Sequence, residues 1–290
     1  MRDRLDPLIA ERAPWLFDGA IHHRAAKAVL NRLLAYERCV EIGTSYLDLP
    51  VEDIMADLAR RIARRVTVDG LDNVPTDGPA LIVANHPTGI ADGIILQDQL
   101  LKRRPDAFYY ANSDILRVLP QFRQIIVPVE WREEKRTVAK TRETMQQTRT
   151  ALEAGRLGVI FPSGRLAKRR GLRLHERPWM ASAAMIARKF ELPVIPLHIR
   201  SRNSAMFYSF DALHPTLRDI TLFHETLNKD VQPYHLSFGR PIDGASLPRD
   251  ANAGIEVLRE ATLRQGSERG GEIKLVDNRP GVRGWRSHPA

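Results

Sequence analysis

The chain has little cysteine: Cys39 is the only one among 290 residues. An intrachain disulfide is therefore excluded, and a reducing compartment is the expected environment. Cys39 also falls on an apolar helical pattern together with Val29, Leu33, Tyr36 and Val40. We interpret it as a small core residue rather than as a nucleophile.

Long apolar runs are missing as well. No stretch reaches the roughly 18 consecutive apolar residues that a membrane-spanning helix needs. The first residues, MRDRLDPLIAERAPW, carry charges where a signal peptide has its apolar segment. We therefore expect a cytoplasmic protein that touches a membrane only from the surface, on the inner face of the cell membrane.

Signals for metals and nucleic acids are also absent. The nine histidines show no recurring metal-ligand spacing, so neither a metal nor a cofactor is expected. No helix-turn-helix or zinc-finger pattern is present, and aromatic residues are only 7% of the chain, which argues against nucleic acid. What the chain does have is a basic excess, 44 Lys and Arg against 35 Asp and Glu. This charge favours anionic partners such as a phospholipid surface or an acidic carrier protein.

Residues 1–65 are predicted to form a helical region. Residues 24–41 and 51–66 each place apolar side chains three and four positions apart, with arginines among the polar positions. Two interpretations stay open for these amphipathic helices. They are packed on the core with solvated basic edges, or they contact anionic lipid at a membrane surface.

Between residues 66 and 245, short apolar runs alternate with helical patterns. Strands are expected at residues 80–84, 107–111, 125–129, 157–161, 194–199 and 234–238, and helices at 92–101, 135–154 and 178–190. Because the first five of these runs are continuously apolar, they predict an α/β domain with a mostly parallel mixed sheet flanked by helices. Residues 246–290 are expected to add one helix, at 253–264, and then a loose basic tail.

The segment ALIVANHPTGIADGIIL contains a candidate general base. An apolar strand ends at Asn85-His86, a Pro/Gly turn follows, and Asp92 opens the next helix. Ligands of α/β proteins bind at the carboxyl ends of strands, so His86 emerges where an active site is expected. A carboxylate that orients a histidine makes it ready to take a proton from a hydroxyl. The competing interpretation is that Asp92 is only a helix N-cap and His86 only a hydrogen-bonded scaffold residue.

A second strand runs into a Pro/Gly turn and then into a basic cluster, in the segment LGVIFPSGRLAKRR. Backbone N–H groups near Gly164 are candidates to hold an anion or an oxyanion, and Arg165 could bind a phosphate with two hydrogen bonds. Lys168 and the arginines after it extend the positive surface. For those outer arginines, a solvated basic loop is the simpler interpretation.

Three motifs in this order resemble the lysophospholipid acyltransferase superfamily, the glycerol-3-phosphate and lysophosphatidic acid acyltransferases. They are Asn85-His86 followed by Asp92, the turn FPSGR at residues 161–165, and the strand LPVIPL at residues 192–197. The stretch SFGRPI at residues 237–242 resembles the closing strand of these proteins. The resemblance covers roughly residues 66–242, and it implies the α/β fold of that family.

The resemblance also implies a reaction. His86 would deprotonate an acceptor hydroxyl while Asp92 holds the ring. The hydroxyl would attack the thioester carbonyl of acyl-CoA or of an acyl carrier protein, and the thiol would leave. The residues implied to contact the substrates are Asn85, Ser163, Gly164, Arg165, Lys168 and Arg132.

Two departures from the family pattern bear on the acceptor. Five residues separate His86 from Asp92 where most members have four, as in the hemolysin-like and lyso-ornithine-lipid branches, and Ser163 stands where most have Glu. The first expectation is an acyltransferase acting on 1-acyl-sn-glycerol-3-phosphate in membrane lipid synthesis. The alternatives are acylation of lyso-ornithine lipid and a non-catalytic lipid-binding protein of the same fold.

Overall fold

The structure, a computed structural model, describes residues 1–130, 137–266 and 273–275. Its helices are α1 (Arg2–Arg12), α2 (Ile21–Leu33), α3 (Tyr36–Ser45), α4 (Val51–Ile62), α5 (Ile90–Leu100), α6 (Asp114–Val118), α7 (Val138–Glu153), α8 (Ser182–Lys189), α9 (Ala205–Leu213), α10 (Pro215–Ile220), α11 (Leu222–Leu227) and α12 (Ala251–Arg264). Its strands are β1 (Val66–Asp69), β2 (Ala80–Ala84), β3 (Phe108–Asn112), β4 (Ile126–Val129), β5 (Leu157–Ile160), β6 (Lys168–Arg170), β7 (Arg173–His175), β8 (Pro193–Arg200), β9 (Tyr234–Phe238), β10 (Ile242–Asp243) and β11 (Ile273–Lys274).

Eight of the described strands form one mixed sheet. The strand order is β1-β9-β8-β2-β5-β3-β4, and β10 pairs with β8. Strands β8, β2, β5, β3 and β4 run parallel to one another, whereas β9 and β10 pair antiparallel with β8. The predicted mostly parallel mixed sheet is therefore confirmed.

The central strand β2 shows why the sheet needs cover on both faces. Its five residues are fully buried and alternate between two cores. Ala80, Ile82 and Ala84 pack into one core, and Leu81 and Val83 pack into the other. Helices α4 and α5 cover the first face, and α7, α8 and α12 cover the second. A strand buried on both faces has no polar side, which explains its continuously apolar sequence.

The N-terminal helices share the first core with the sheet. Leu5 and Leu8 of α1 and Ile54 and Ile62 of α4 join the same cluster of buried residues as β2 and α5. The core-packed interpretation therefore holds for α4. This helix ends at Ile62, before the predicted end at Val66, because Val66 starts β1 and pairs with β9.

The predicted helix over residues 24–41 is wrong as a single element. The chain breaks between α2 and α3, where Ala35 has a left-handed backbone with φ of 49°. The break gives the two halves different environments. No residue of α2 is buried, and Val29 is 65% exposed, whereas Tyr36 of α3 is buried. The core-packed interpretation therefore fails for α2.

Three helices that the sequence did not predict lie between β8 and β9. We call residues 205–227, which contain α9, α10 and α11, the cap. Just beyond it, Lys229 donates to Glu225 at 2.9 Å, and both side chains are buried. Burial lowers the pKa of Lys229. Burial by itself would raise the pKa of Glu225, but the charge of Lys229 and its hydrogen bond lower that pKa. Removing one member of such a pair would leave an unpaired buried charge, so the pair stabilises the C-terminal end of the cap.

The tail contains one unpredicted strand. Strands β6 and β7 form a hairpin, and β11 pairs with β7 to give a three-stranded sheet. Ile273 of β11 is buried. The expectation of a loose tail is therefore wrong at these residues. Among the described residues no helix combines the length and apolar character needed to cross a bilayer.

Candidate active site

His86 and Asp92 meet at the carboxyl end of β2. The Nδ1 atom of His86 lies 2.9 Å from Oδ2 of Asp92. The Asp92 side chain is fully buried, whereas the His86 side chain is 19% exposed. Because the carboxylate accepts the Nδ1 hydrogen, the other ring nitrogen, Nε2, keeps its lone pair. The pair thus has the arrangement of a general base and the group that orients it.

A network of hydrogen bonds holds the Asp92 carboxylate in place. Oδ2 also accepts from the backbone N–H groups of Thr88 at 3.0 Å and Gly89 at 3.1 Å. Oδ1 accepts from the Thr88 hydroxyl at 2.5 Å, and the buried hydroxyl of Tyr234 lies 2.5 Å from the same Thr88 oxygen. Gly89 has φ of 100°, a conformation that favours glycine. The turn therefore fixes the carboxylate before any substrate binds.

The backbone and ring of His86 have their own partners. Its N–H donates to the Glu176 carboxylate at 3.3 Å, and its carbonyl accepts from Ala167 N–H at 2.9 Å. The ring stacks on Phe161 with 4.4 Å between centroids. Burial raises the pKa of Glu176, although Trp179 also donates to it at 3.0 Å. These contacts tie the turn after β2 to the turn after β5.

His86 opens into a large cavity of about 1280 Å³. Apolar side chains from the N-terminal helices, the sheet and the cap line most of it, for example Leu8, Ile94 and Phe207. Such a volume is above the usual range for small-molecule sites, about 300–1,000 Å³. A base at the wall of a large apolar cavity suits an amphipathic substrate with a reactive polar group.

The structure brings together some of the predicted substrate-binding residues. Gly164, Arg165 and Lys168 line the cavity with His86. The N–H of Gly164 donates to the Phe161 carbonyl at 3.0 Å, so this group is not available to hold an oxyanion. The predicted Arg132 lies outside the described residues.

Asn85 and Ser163 do not line the cavity. The buried Asn85 amide donates to the Ile199 carbonyl at 2.9 Å and accepts from the Ile199 N–H at 2.7 Å, so it joins the ends of β2 and β8. The Ser163 hydroxyl donates to the carbonyl of Arg165 at 2.8 Å and is buried. The structure thus gives both side chains backbone partners, and their predicted contacts with substrate stay predictions.

Sequence reasoning missed three arginines of the cavity, Arg12 of α1 and two that come later in the chain. Arg177 follows Glu176 in the loop after β7, and Arg218 lies on α10 of the cap. Arg177 stands near a Pro-Trp pair that carries no recognised motif, and Arg218 lies in an unpredicted element. No local signal in the sequence marks either one. Within the described ranges, no group of three or more His, Cys, Asp or Glu side chains could hold a metal ion.

Comparisons with known proteins define the class. Residues 65–200 match the family model described as Acyltransferase, so this part of the chain is an acyltransferase domain and the protein is an enzyme that transfers acyl groups. Two curated proteins, each named lyso-glycine lipid O-acyltransferase, are similar to it. The match of residues 65–200 and these relatives support the lysophospholipid acyltransferase superfamily, the family indicated by the three motifs.

The relatives are distant. The protein from Phocaeicola vulgatus is 24% identical over 208 residues, covering 70% of this chain and 70% of its own. The protein from Bacteroides thetaiotaomicron is 22% identical over 208 residues, covering 70% of this chain and 72% of its own. The crystal structure of the 1-acyl-sn-glycerophosphate (LPA) acyltransferase PlsC from Thermotoga maritima is similar with a TM-score of 0.46 and 13% identity, over 91% of this chain and 96% of that one.

Proposed function

We propose that this enzyme moves a fatty acyl group from acyl-CoA or an acyl carrier protein to the hydroxyl of a lysolipid, with His86 as general base. The observation that carries the proposal is the His86–Asp92 pair, 2.9 Å apart at the wall of the apolar cavity. The cavity has the character that an acyl chain requires, and the base is positioned for a hydroxyl.

The chemistry uses a single proton relay. Nε2 of His86 takes the hydroxyl proton as the oxygen attacks the thioester carbonyl. The buried Asp92 carboxylate stabilises the imidazolium that forms. When the tetrahedral intermediate collapses, the C–S bond breaks, and the imidazolium returns the proton to the departing thiolate. The products are the acylated lipid and a free thiol. Because the lipid hydroxyl attacks the thioester directly, the step needs no nucleophilic Ser or Cys.

For the acceptor, we propose a lyso-amino-acid lipid ahead of 1-acyl-sn-glycerol-3-phosphate. Two observations support this order, which reverses the first expectation from the motifs. The curated relatives are named for a lyso-glycine lipid. The longer spacing between His86 and Asp92 and the presence of Ser163 resemble the lyso-ornithine-lipid branch. 1-Acyl-sn-glycerol-3-phosphate stays the second candidate.

We also propose that the enzyme works at the inner face of the cell membrane, through α2. Its exposed apolar side chains include Ile21, at 84%, and Val29. Arg24, Lys27 and Arg32 lie on the same short helix. An exposed apolar face with flanking cations suits an anionic bilayer.

An acyl-transfer assay tests the reaction. Purified protein is given a radiolabelled acyl thioester and either lyso-glycine lipid, lyso-ornithine lipid or lysophosphatidic acid. We expect product with wild type and a loss of about a hundredfold to ten-thousandfold in turnover for His86→Ala. His235→Ala is the matched control, since His235 lies on β9 and is not part of the cavity wall.

The outcomes separate the alternatives. Product from one acceptor alone identifies the lipid. Full activity in His86→Ala would contradict the role of the base. No product from wild type, together with retained liposome binding, would favour a non-catalytic lipid-binding protein.

A further inference from the structure

The backbone of His86 is held from outside the turn that holds its ring. Strand β2 ends at Ala84, two residues before His86. Both backbone groups of His86 pair with the two ends of one hairpin, residues 167–176, which contains β6 and β7. The His86 carbonyl accepts from the Ala167 N–H at 2.9 Å, and the His86 N–H donates to the Glu176 carboxylate at 3.3 Å. The hairpin therefore determines where the backbone of the base lies.

The Glu176 carboxylate uses both of its oxygens for hydrogen bonds. Oε2 accepts the His86 N–H, and Oε1 accepts from Nε1 of the buried Trp179 at 3.0 Å. Burial raises the pKa of this carboxyl, while the two N–H donors and the charge of a protonated His86 oppose that rise. A carboxyl in this place has a desolvation cost, which its two donors partly offset. Two N–H donors directed at one side chain require two acceptor atoms, and a carboxylate supplies both.

The contact with Asp92 alone does not fix the direction of the His86 ring. A single hydrogen bond from Nδ1 leaves the imidazole free to pivot about that contact, and such a pivot moves Nε2. The ring of Phe161, with 4.4 Å between centroids, restricts the plane of the imidazole. The backbone that carries the ring must be fixed as well, because reacting atoms have to be aligned about 3–3.5 Å apart.

We propose that Glu176 is a positioning residue of the reaction, which directs Nε2 of His86 by holding the backbone N–H of that residue. This inference rests on the proposed function, because it takes His86 as the base. In the described part of the chain the cavity wall does not include Glu176, so this residue acts through His86 and not on a substrate. Asp92 holds the ring from inside the turn after β2, and Glu176 holds the backbone from the hairpin.

Turnover rather than affinity should depend on Glu176. In Glu176→Gln a single amide oxygen has to serve two N–H donors, and the amide NH2 faces one of them. We expect kcat to fall about tenfold to a hundredfold, with KM for the acceptor and for acyl-CoA changed much less. Glu153→Gln is the matched control, because Glu153 is 67% exposed on α7. An unchanged kcat, or a rise in KM alone, would overturn the proposal.

A second variant separates the hydrogen bond from general damage to the fold. Trp179→Phe removes the donor that competes with the His86 N–H for the single amide oxygen of Glu176→Gln. In the double variant that oxygen can accept from His86, so kcat should rise about threefold to tenfold above that of Glu176→Gln alone. If the losses of the two single variants simply multiply in the double variant, the two donors do not share one acceptor and the proposal is wrong.

A spectroscopic measurement separates this inference from the proposed reaction. In protein with isotope-labelled histidine, nuclear magnetic resonance detects the Nδ1 hydrogen of His86 that Asp92 accepts, and His86→Ala assigns its signal. We expect Glu176→Gln to shift the ring signals and to speed hydrogen exchange of the His86 backbone N–H about tenfold or more. Glu153→Gln should change neither. Unchanged ring signals and exchange in Glu176→Gln would overturn the positioning role. Absence of turnover in wild type would count against the reaction alone, since these signals do not depend on it.

Discussion

At the scale of single residues, Asp92 performs two tasks that the sequence presented as alternatives. It lies at the third position of α5, whose N-cap is Gly89, and it accepts the Gly89 N–H as the acidic residue of a capping box does. It also accepts the Nδ1 hydrogen of His86. One carboxylate serves both because its two oxygens accept four hydrogen bonds in all. The helix start therefore fixes the geometry of the base, and the capping interpretation supports the catalytic one.

Glu176 predicts a pH dependence of stability. Its pKa is raised in the folded protein, mainly by burial, so the folded state holds this proton more tightly than the unfolded chain does. Its contribution to stability is present below the unfolded pKa, near 4.3, and is lost as the pH rises through the folded pKa. Glu176→Gln imitates the protonated acid. We therefore expect the variant to gain stability relative to wild type as the pH rises from about 4 to 8.

Urea unfolding across this pH range measures the effect. Glu153→Gln provides a comparison, because Glu153 is 67% exposed on α7. The difference in free energy of unfolding between Glu153→Gln and wild type should stay nearly constant across this pH range. The free energy of unfolding of Glu176→Gln minus that of wild type should grow with pH. If it stays constant or shrinks, burial does not raise the pKa of this carboxyl.

At the scale of elements, the exposed apolar side chains of α2 predict binding to anionic membranes. Replacing Ile21 and Val29 by Asp places charges on its exposed apolar face. We expect binding to vesicles that contain phosphatidylglycerol to fall about tenfold or more, because two apolar contacts with lipid are lost and the helix loses positive charge. Co-sedimentation measures this binding. Val257→Asp on α12 is the control, and an equal loss there would show a nonspecific effect of charge.

The elements differ in how well the sequence predicts them. Strands β2 and β9 begin and end where expected. β2 is an unbroken apolar run that is buried throughout, whereas β9 alternates buried Tyr234, Leu236 and Phe238 with half-buried polar residues. The hairpin of β6 and β7 was missed because Lys168, Arg169 and Arg170 give it a polar sequence. Its one buried residue, Leu174, packs in a small cluster with Phe207 of the cap and Ile273 of β11. The cap was missed because its three helices are short, and tertiary packing rather than a long periodic pattern stabilises them.

At the scale of the whole molecule, the N-terminal helices and the sheet should unfold together. Ile54 of α4 is fully buried in the core that β2 and α5 also build. We expect Ile54→Ala to cost about 2–5 kcal/mol and to keep a single unfolding transition in urea. Val29→Ala on the exposed face of α2 should change stability by about 0.5 kcal/mol or less. Two separate transitions would show that residues 1–65 fold as an independent unit.

The site was predictable where one motif held all of its members. His86 and Asp92 are six positions apart, so one turn brings them together, and the sequence placed them correctly at the end of a strand. Arg177 and Arg218 come from different parts of the chain, and Arg218 lines the cavity only because the cap packs there. Asn85 was predicted to contact substrate because it adjoins His86, but its amide bonds the backbone of Ile199 on the neighbouring strand β8.

The cap leaves and rejoins the sheet at neighbouring positions, since Arg200 of β8 and His235 of β9 are register partners. The segment between them therefore leaves the sheet and returns to it beside its starting point, as a long loop does. The entropy of closing such a loop depends only weakly on its length. A different segment grafted between these two anchors, with Tyr234 retained, would leave the strand order and the base unchanged. The cap is therefore an insert whose length and sequence could change while the sheet and the pair of His86 and Asp92 stay in place.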